Sequence, residues 1–106
     1  MNAYRLSRSA EADLLSIFAR SLDDFGPMQA VRYRDELVAR LRTLALHPGL
    51  FRLRHEYKPP TRICPFKAHV IVYDETDEGI LIVRIRHASE NWLEDPRGGD
   101  NVSETP

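Results

Sequence analysis

Apolar positions along this chain change their period, and the changes outline the fold. Tyr4-Arg5-Leu6 alternates apolar and polar residues, a weak signal for a short first strand. Ser7 and Ser9 then offer helix caps, and Glu11 and Asp13 lie near the positive end of the helix dipole. Ala10, Leu14, Ile17, Phe18 and Leu22 recur at three and four residues, which predicts a first helix with one apolar face. Asp23-Asp24-Phe25-Gly26-Pro27 reads as a stop and a restart. Gly26 suits a left-handed cap, and Pro27 suits the first turn of the next helix. In that second helix Met28, Val31, Leu37, Val38, Leu41, Leu44 and Ala45 form a broad stripe, with Arg32, Asp35, Glu36 and Arg40 mostly off it. His47-Pro48-Gly49 should end it, because Pro48 biases His47 away from helical geometry. The short connection predicts an antiparallel helical hairpin whose apolar side needs a sheet.

The sheet follows. Arg62-Ile63-Cys64-Pro65-Phe66 can form a strand, although Pro65 lacks an N–H and implies an edge or a bulge. His69-Val70-Ile71-Val72-Tyr73 is β-branched and aromatic, and Ile80 to His87 carries the strongest strand signal, with a polar turn from Asp74 to Gly79 between them. Strict alternation on the last strand places Leu81, Val83 and Ile85 on one face and Ile82, Arg84 and Arg86 on the other. The expected class is α+β: an N-terminal strand, a two-helix hairpin, then a three-stranded antiparallel meander, with the helices on one face of a single sheet. Pairing order does not follow from the sequence.

Length adds that one domain is enough: of 106 residues, 1–95 should form it and 96–106 a disordered tail. Hydrophobic residues at 42% and charged residues at 29% describe a globular chain. The single cysteine, Cys64, excludes an internal disulfide and suits a reducing compartment. No long apolar run follows Met1, so neither a leader nor a membrane span is expected, and a cytoplasmic location is. Net charge is −1, but Arg52 to His69 carries Arg52, Arg54, Lys58, Arg62 and Lys67 against the single acid Glu56. Such a stretch can meet an anionic partner, or it can be a solvated loop. His47, His55, His69 and His87 do not come at ligand spacing, and Gly98-Gly99 precedes no helix, so no metal, phosphate loop or other cofactor is expected.

The ordered set of Tyr4 to Ser7, Ala10 to Leu14, Phe25-Gly26-Pro27, Ala30 to Leu37, Leu44 to Pro48, Arg62 to Phe66, His69 to Tyr73, Ile80 to His87 and Trp92 resembles the ParE/RelE superfamily of toxins, closer to the ParE branch. The resemblance covers residues 3 to 93 and rests on order and spacing, since no single motif is specific. It implies the toxic half of a type II toxin–antitoxin pair. The cognate antitoxin would be a small DNA-binding protein with a wrapping C-terminal segment, and the complex would bind operator DNA through it. ParE-like members target DNA gyrase, whereas RelE-like members cut messenger RNA on the ribosome.

Cleavage of RNA through its 2′-hydroxyl needs a base, an acid and cations for the developing charge. Here Arg62, Arg84 and Arg86 would supply cations, and His87, of the residue type that exchanges protons near neutrality, the acid or base. No tyrosine follows Tyr73, so the C-terminal tyrosine of some RelE-like enzymes is missing, and Trp92 cannot transfer a proton in its place. The leading expectation is therefore a gyrase inhibitor that acts by binding. The alternatives are the ribosome-dependent endonuclease and a non-toxic co-repressor. Antitoxin or target contacts are expected at Arg52, Arg54, Arg62, Ile82, Arg84, Arg86 and Trp92. Ile82, sharing a face with two arginines, is read as part of a covered surface, and Trp92 first as an anchor of the domain.

Overall fold

A computed structural model of the chain describes residues 3–98. The elements are β1 (Ala3–Leu6), α1 (Arg8–Leu46), β2 (Leu53–Arg54), β3 (Thr61–Phe66), β4 (His69–Thr76) and β5 (Gly79–His87), with a 3-10 turn at Pro48–Leu50. Ser7 begins α1 in extended geometry and its side chain accepts from the Ala10 N–H, so it is the cap. His47 ends the helix, as Pro48 requires.

Where two helices and a turn are expected, one helical segment of 39 residues runs from Arg8 to Leu46. It is not straight. A straight helix of that length would reach about 58 Å, and the longest dimension of the molecule is 38 Å. The break is confined to Gly26, at φ 87° and ψ 172°, a conformation open to glycine, and Pro27 starts the second half without needing a bonded N–H. The two halves meet again where the Arg34 guanidinium lies 5.3 Å over the Phe18 ring.

The sheet also differs from the expected four strands. It is mixed and five-stranded, in the order β1-β5-β4-β3-β2. β3, β4 and β5 pair antiparallel in succession, β2 adds two residues at one edge, and β1 lies parallel to β5 at the other. The close approach of β1 depends on Gly79, where a Cβ would stand 1.8 Å from the Ala3 carbonyl oxygen.

The alternation expected on β5 is corrected by a β-bulge. Tyr73 faces Ile82 but Val72 faces Arg84, so Val83 has no partner of its own and the side chains change parity there. Ile80 and Ile82 before the bulge and Ile85 after it all join the core against the helix, with Ala10, Leu37, Leu41, Leu44, Cys64, Phe66, Ile71 and Tyr73. Arg84 and Arg86 turn to the opposite face, opposite Val72 and Val70. A smaller apolar cluster lies there, made of Ile63, Val70 and Val72 with Tyr57, Val83 and Trp92 packed on it.

The helical stripe is only partly covered. From Leu37 to Ala45 it is buried, but Met28 is 81% exposed and Phe25 67%, because the elbow of α1 overhangs the end of the strands. The expected tail divides as well. Pro96 is buried and Arg97 is bonded to Asp74, so the chain packs past residue 95, and 99–106 lie outside the described residues.

Candidate functional site

β5 distributes its polar residues to two places. On the outer face the chain returns across the sheet after His87 and is fastened there. Trp92 packs on Ile63, Val70 and Val72, and the Tyr57 hydroxyl donates to the Leu93 carbonyl at 2.6 Å. Arg86 donates to the Glu90 carboxylate and to the carbonyls of Asp95 and Pro96. Arg97 grips Asp74 with two bonds, of 2.7 and 3.1 Å. Arg84 reaches the Arg97 carbonyl and, round the edge of β5, the Asp13 carboxylate at 2.7 and 3.0 Å. Asp13 also accepts the Ile85 N–H at 2.9 Å. That amide lies on the edge of β5 beyond the last residue paired with β1, so Asp13 satisfies a donor that no strand does. Ser7 does the same for the Val83 carbonyl at 2.7 Å.

The candidate nuclease set is therefore not assembled. Arg62 lies opposite Tyr73, on the same side as Cys64 and Phe66, and donates to the Phe51 carbonyl and to Glu75. His87 shares that helix-facing side at the far end of the hairpin. Arg84 and Arg86 are on the outer face, with their guanidinium groups engaged inside the molecule. The covered surface expected at Ile82, Arg84 and Arg86 is corrected too: Ile82 is fully buried against α1, because the bulge separates it from the arginines. Of the remaining candidates, Arg52 is exposed and pairs with Glu56, Arg54 is half-buried on β2, and Trp92 is half-buried in the outer cluster.

The second place is a cleft of about 770 Å³ between the two halves of α1 and the end of the sheet where β4 begins and β5 ends. Tyr33, His69 and His87 lie on its wall, with Asp13, Arg32, Lys67 and Glu90 among its polar lining. His69 and His87 face each other across the two strands with ring centroids 5.1 Å apart. The bulge makes this pair. A hairpin continuing the Thr76–Gly79 register without it would set Arg86 opposite His69. The Tyr33 hydroxyl and His69 Nδ1 are 2.8 Å apart, and the Ala68 backbone amide bonds the Tyr33 oxygen. Burial pushes the Tyr33 phenol up, so it keeps its proton, and in the Nε2–H tautomer of His69 the hydroxyl donates to Nδ1. Burial, and next the neighbouring His87, hold His69 below the ordinary histidine value, against the opposing pull of Glu90 and Asp13. His87 Nδ1 accepts the Ser89 N–H at 3.1 Å and lies 2.7 Å from Ser89 Oγ. His87 Nδ1 thus accepts, which assigns the proton of its neutral ring to Nε2, and the matching Nε2–H form of His69 is the one in which the Tyr33 hydroxyl donates. The sequence gives no sign of the Tyr33–His69 bond, since the residues are far apart in the chain and only the packing of α1 on the hairpin joins them.

Among the described residues no three of His, Cys, Asp or Glu come together in a way that could hold a metal ion. No helix among them is long and apolar enough to cross a membrane.

Comparison with known proteins places this arrangement. A family model described as the ParE toxin of the type II toxin–antitoxin system parDE matches residues 4–92. Toxin ParE1 of Caulobacter vibrioides is 36% identical over 91 residues, covering 86% of this chain and 94% of that protein. Toxin ParE1 of Mycobacterium tuberculosis (strain CDC 1551 / Oshkosh) is 33% identical over 85 residues, covering 79% and 87%. The fold is shared with a solved structure titled as the chromosomal ParDE TA system from P. aeruginosa, at a TM-score of 0.70 and 21% identity, covering 82% of this chain and 96% of that one. The chain belongs to the ParE toxin family of type II toxin–antitoxin systems.

Proposed function

We propose that this ParE-family toxin arrests growth by binding DNA gyrase and blocking supercoiling, with no bond-breaking chemistry of its own. The observation that carries this over the endonuclease reading is the division of Arg62, Arg84, Arg86 and His87 between two faces of the sheet. A phosphorane needs cations converging on one point. Here Arg84 and Arg86 instead hold Asp13, Glu90 and the carbonyls of the terminal segment. Family membership supports the same reading. The cytoplasm, where gyrase works, is the proposed location, and residues 1–95 with the strap to Gly98 are the proposed functional unit. A cognate antitoxin is the proposed partner. It would neutralise the toxin and carry the complex to operator DNA. Arg52, Arg54 and Trp92, which keep exposed surface, are proposed as contacts for antitoxin or target.

The test is a supercoiling assay with purified toxin and gyrase, read as relaxed and linear plasmid. Loss of supercoiling with accumulation of linear DNA is expected. Unimpaired supercoiling by a toxin that still binds its antitoxin would overturn the proposal.

A further inference from the structure

The cleft beside the histidine pair has donors that the fold leaves open. Each acid on its wall has its own cation: Asp13 with Arg84, Asp24 with Arg20, Glu36 with Lys67, and Glu90 with Arg86. Arg32, on the same wall, makes no ion pair among the described residues. His69 and His87 have their Nδ1 atoms bonded and, among the described residues, nothing bonded at Nε2. With the acids matched, the positive charge on the wall left without an ion pair among the described residues is that of Arg32, which lines the same cleft as the two imidazoles. Apolar surface from Ile17, Phe25 and Ile85 lines the rest, and the volume is that of a small-molecule site.

We infer that this cleft binds a small organic anion, its carboxylate or phosphate oxygens held by Arg32 and by the Nε2–H groups of His69 and His87. A guanidinium grips either oxyanion through two parallel bonds, and neutral imidazoles add donors without a competing acceptor, because their Nδ1 atoms are occupied by Tyr33 and Ser89. The inference is independent of the gyrase proposal, since it concerns the helix-facing end of the sheet and requires no particular target.

Occupation is coupled to protons. A bound anion favours the imidazolium, so affinity rises as the solution is acidified through the histidine range. Around the pair, Asp13 and Glu36 face it from α1 and Glu90 from beyond β5, each paired with a cation, and Glu90 and Asp13 still act on His69 in the direction that raises its pKa. Arg32, Tyr33 and Lys67 complete the surroundings.

The experiment uses the full chain with imidazole nitrogens labelled, titrated by NMR with inorganic phosphate, adenosine 5′-monophosphate and glutarate in turn. A saturable shift of both Nε2 resonances by at least one probe is expected, with affinity reduced about ten-fold in Arg32→Gln, the loss of one charge-assisted contact. Saturation by phosphate or the nucleotide alone would make the ligand a phosphate compound, and saturation by glutarate alone a carboxylate. No saturable shift from any probe up to about 10 mM, weaker than any affinity a built site would show, overturns the inference. So does binding that Arg32→Gln leaves unchanged, because the Arg32 side chain is exposed and its replacement spares the fold.

Discussion

The two faces at the end of β5 carry similar residues and put them to different use. On the outer face Arg84 and Arg86 look from the sequence like a surface for anionic partners, yet both are engaged by the protein itself. On the inner face His69 reads from the sequence only as the start of a strand and His87 as a proton carrier for the arginines, yet the two histidines stand together at a cleft apart from the arginines. Charge on a residue therefore does not mark a site. What marks one is charge or a donor that the surrounding chain has left unsatisfied. One bulge at Val83 produces both outcomes, since it turns the arginines outward and sets the second histidine opposite the first.

Removing the acid that holds Arg84 puts this contrast under the greatest load. Asp13 and Arg84 are mostly buried, at 16% and 20% side-chain exposure, and Asp13 also satisfies the Ile85 amide. Asp13→Ala would take both carboxylate bonds from the Arg84 guanidinium and leave the Ile85 amide without its acceptor. A loss of about 3 kcal/mol is expected, or about 15 °C in Tm for a domain of this size. Urea unfolding measures it. A loss under about 1 kcal/mol would mean that Arg84 is as free as a surface residue, and the outer face would again be a candidate for partner charge.

Next in size is the fastening of the terminal segment. Arg97 and Asp74 form a two-bond pair at 27% and 31% side-chain exposure, so solvent screens part of it. Arg97→Ala should cost about 1 kcal/mol. Proteolysis should then reach residues 93–98 faster, with Trp92 emission shifted to the red as its cover loosens. Unchanged cleavage and emission would show that Trp92, Tyr57 and Arg86 hold the segment without the Arg97 pair.

Local rules make part of this fold legible in the sequence. Ser7 has the chemistry of a cap and is one, Pro48 ends the helix where its ring must, and the strands from Arg62 to Phe66 and from Ile80 to His87 fall where β-branched residues concentrate. What stays hidden depends on partners distant in the chain. Nothing in Leu81-Ile82-Val83-Arg84 marks Val83 as the extra residue, because a bulge is a relation between two strands. With its position unknown, strict alternation groups Ile82 with the arginines and Val83 with Ile85, whereas Ile82 joins Ile85 in the core and Val83 packs on the outer face. The parallel seat of β1 on β5 is hidden for the same reason: Gly79 reads as a turn residue, and only the neighbouring Ala3 carbonyl shows why a side chain cannot stand there. Met28 and Val31 share the period of the buried stripe, and period alone does not say how far the sheet extends beneath it.

A weaker effect tests the inner face through pH. His69 is held below the ordinary value of 6.5, mainly by burial and next by His87, so the folded protein binds its proton less readily than the unfolded chain does. Above pH 6.5 both states are neutral at this residue and it adds no slope. As the solution is acidified through that value the unfolded chain takes up the proton first, and stability falls until the folded pKa is reached. Carboxylates titrate near pH 4 in the unfolded chain, so most of their contribution lies below this window. His69→Gln keeps an acceptor for the Tyr33 hydroxyl but cannot be protonated. The variant should lose the decline just below pH 6.5 while matching the parent above it, when urea unfolding is followed at a series of pH values. A second variant, His87→Gln, removes one of the causes that lower His69 and should make the decline shallower without abolishing it. Parallel profiles for the parent and His69→Gln would mean that His69 takes up its proton equally readily in the folded and unfolded chains, so that neither burial nor His87 acts on it as the packing of the inner face requires.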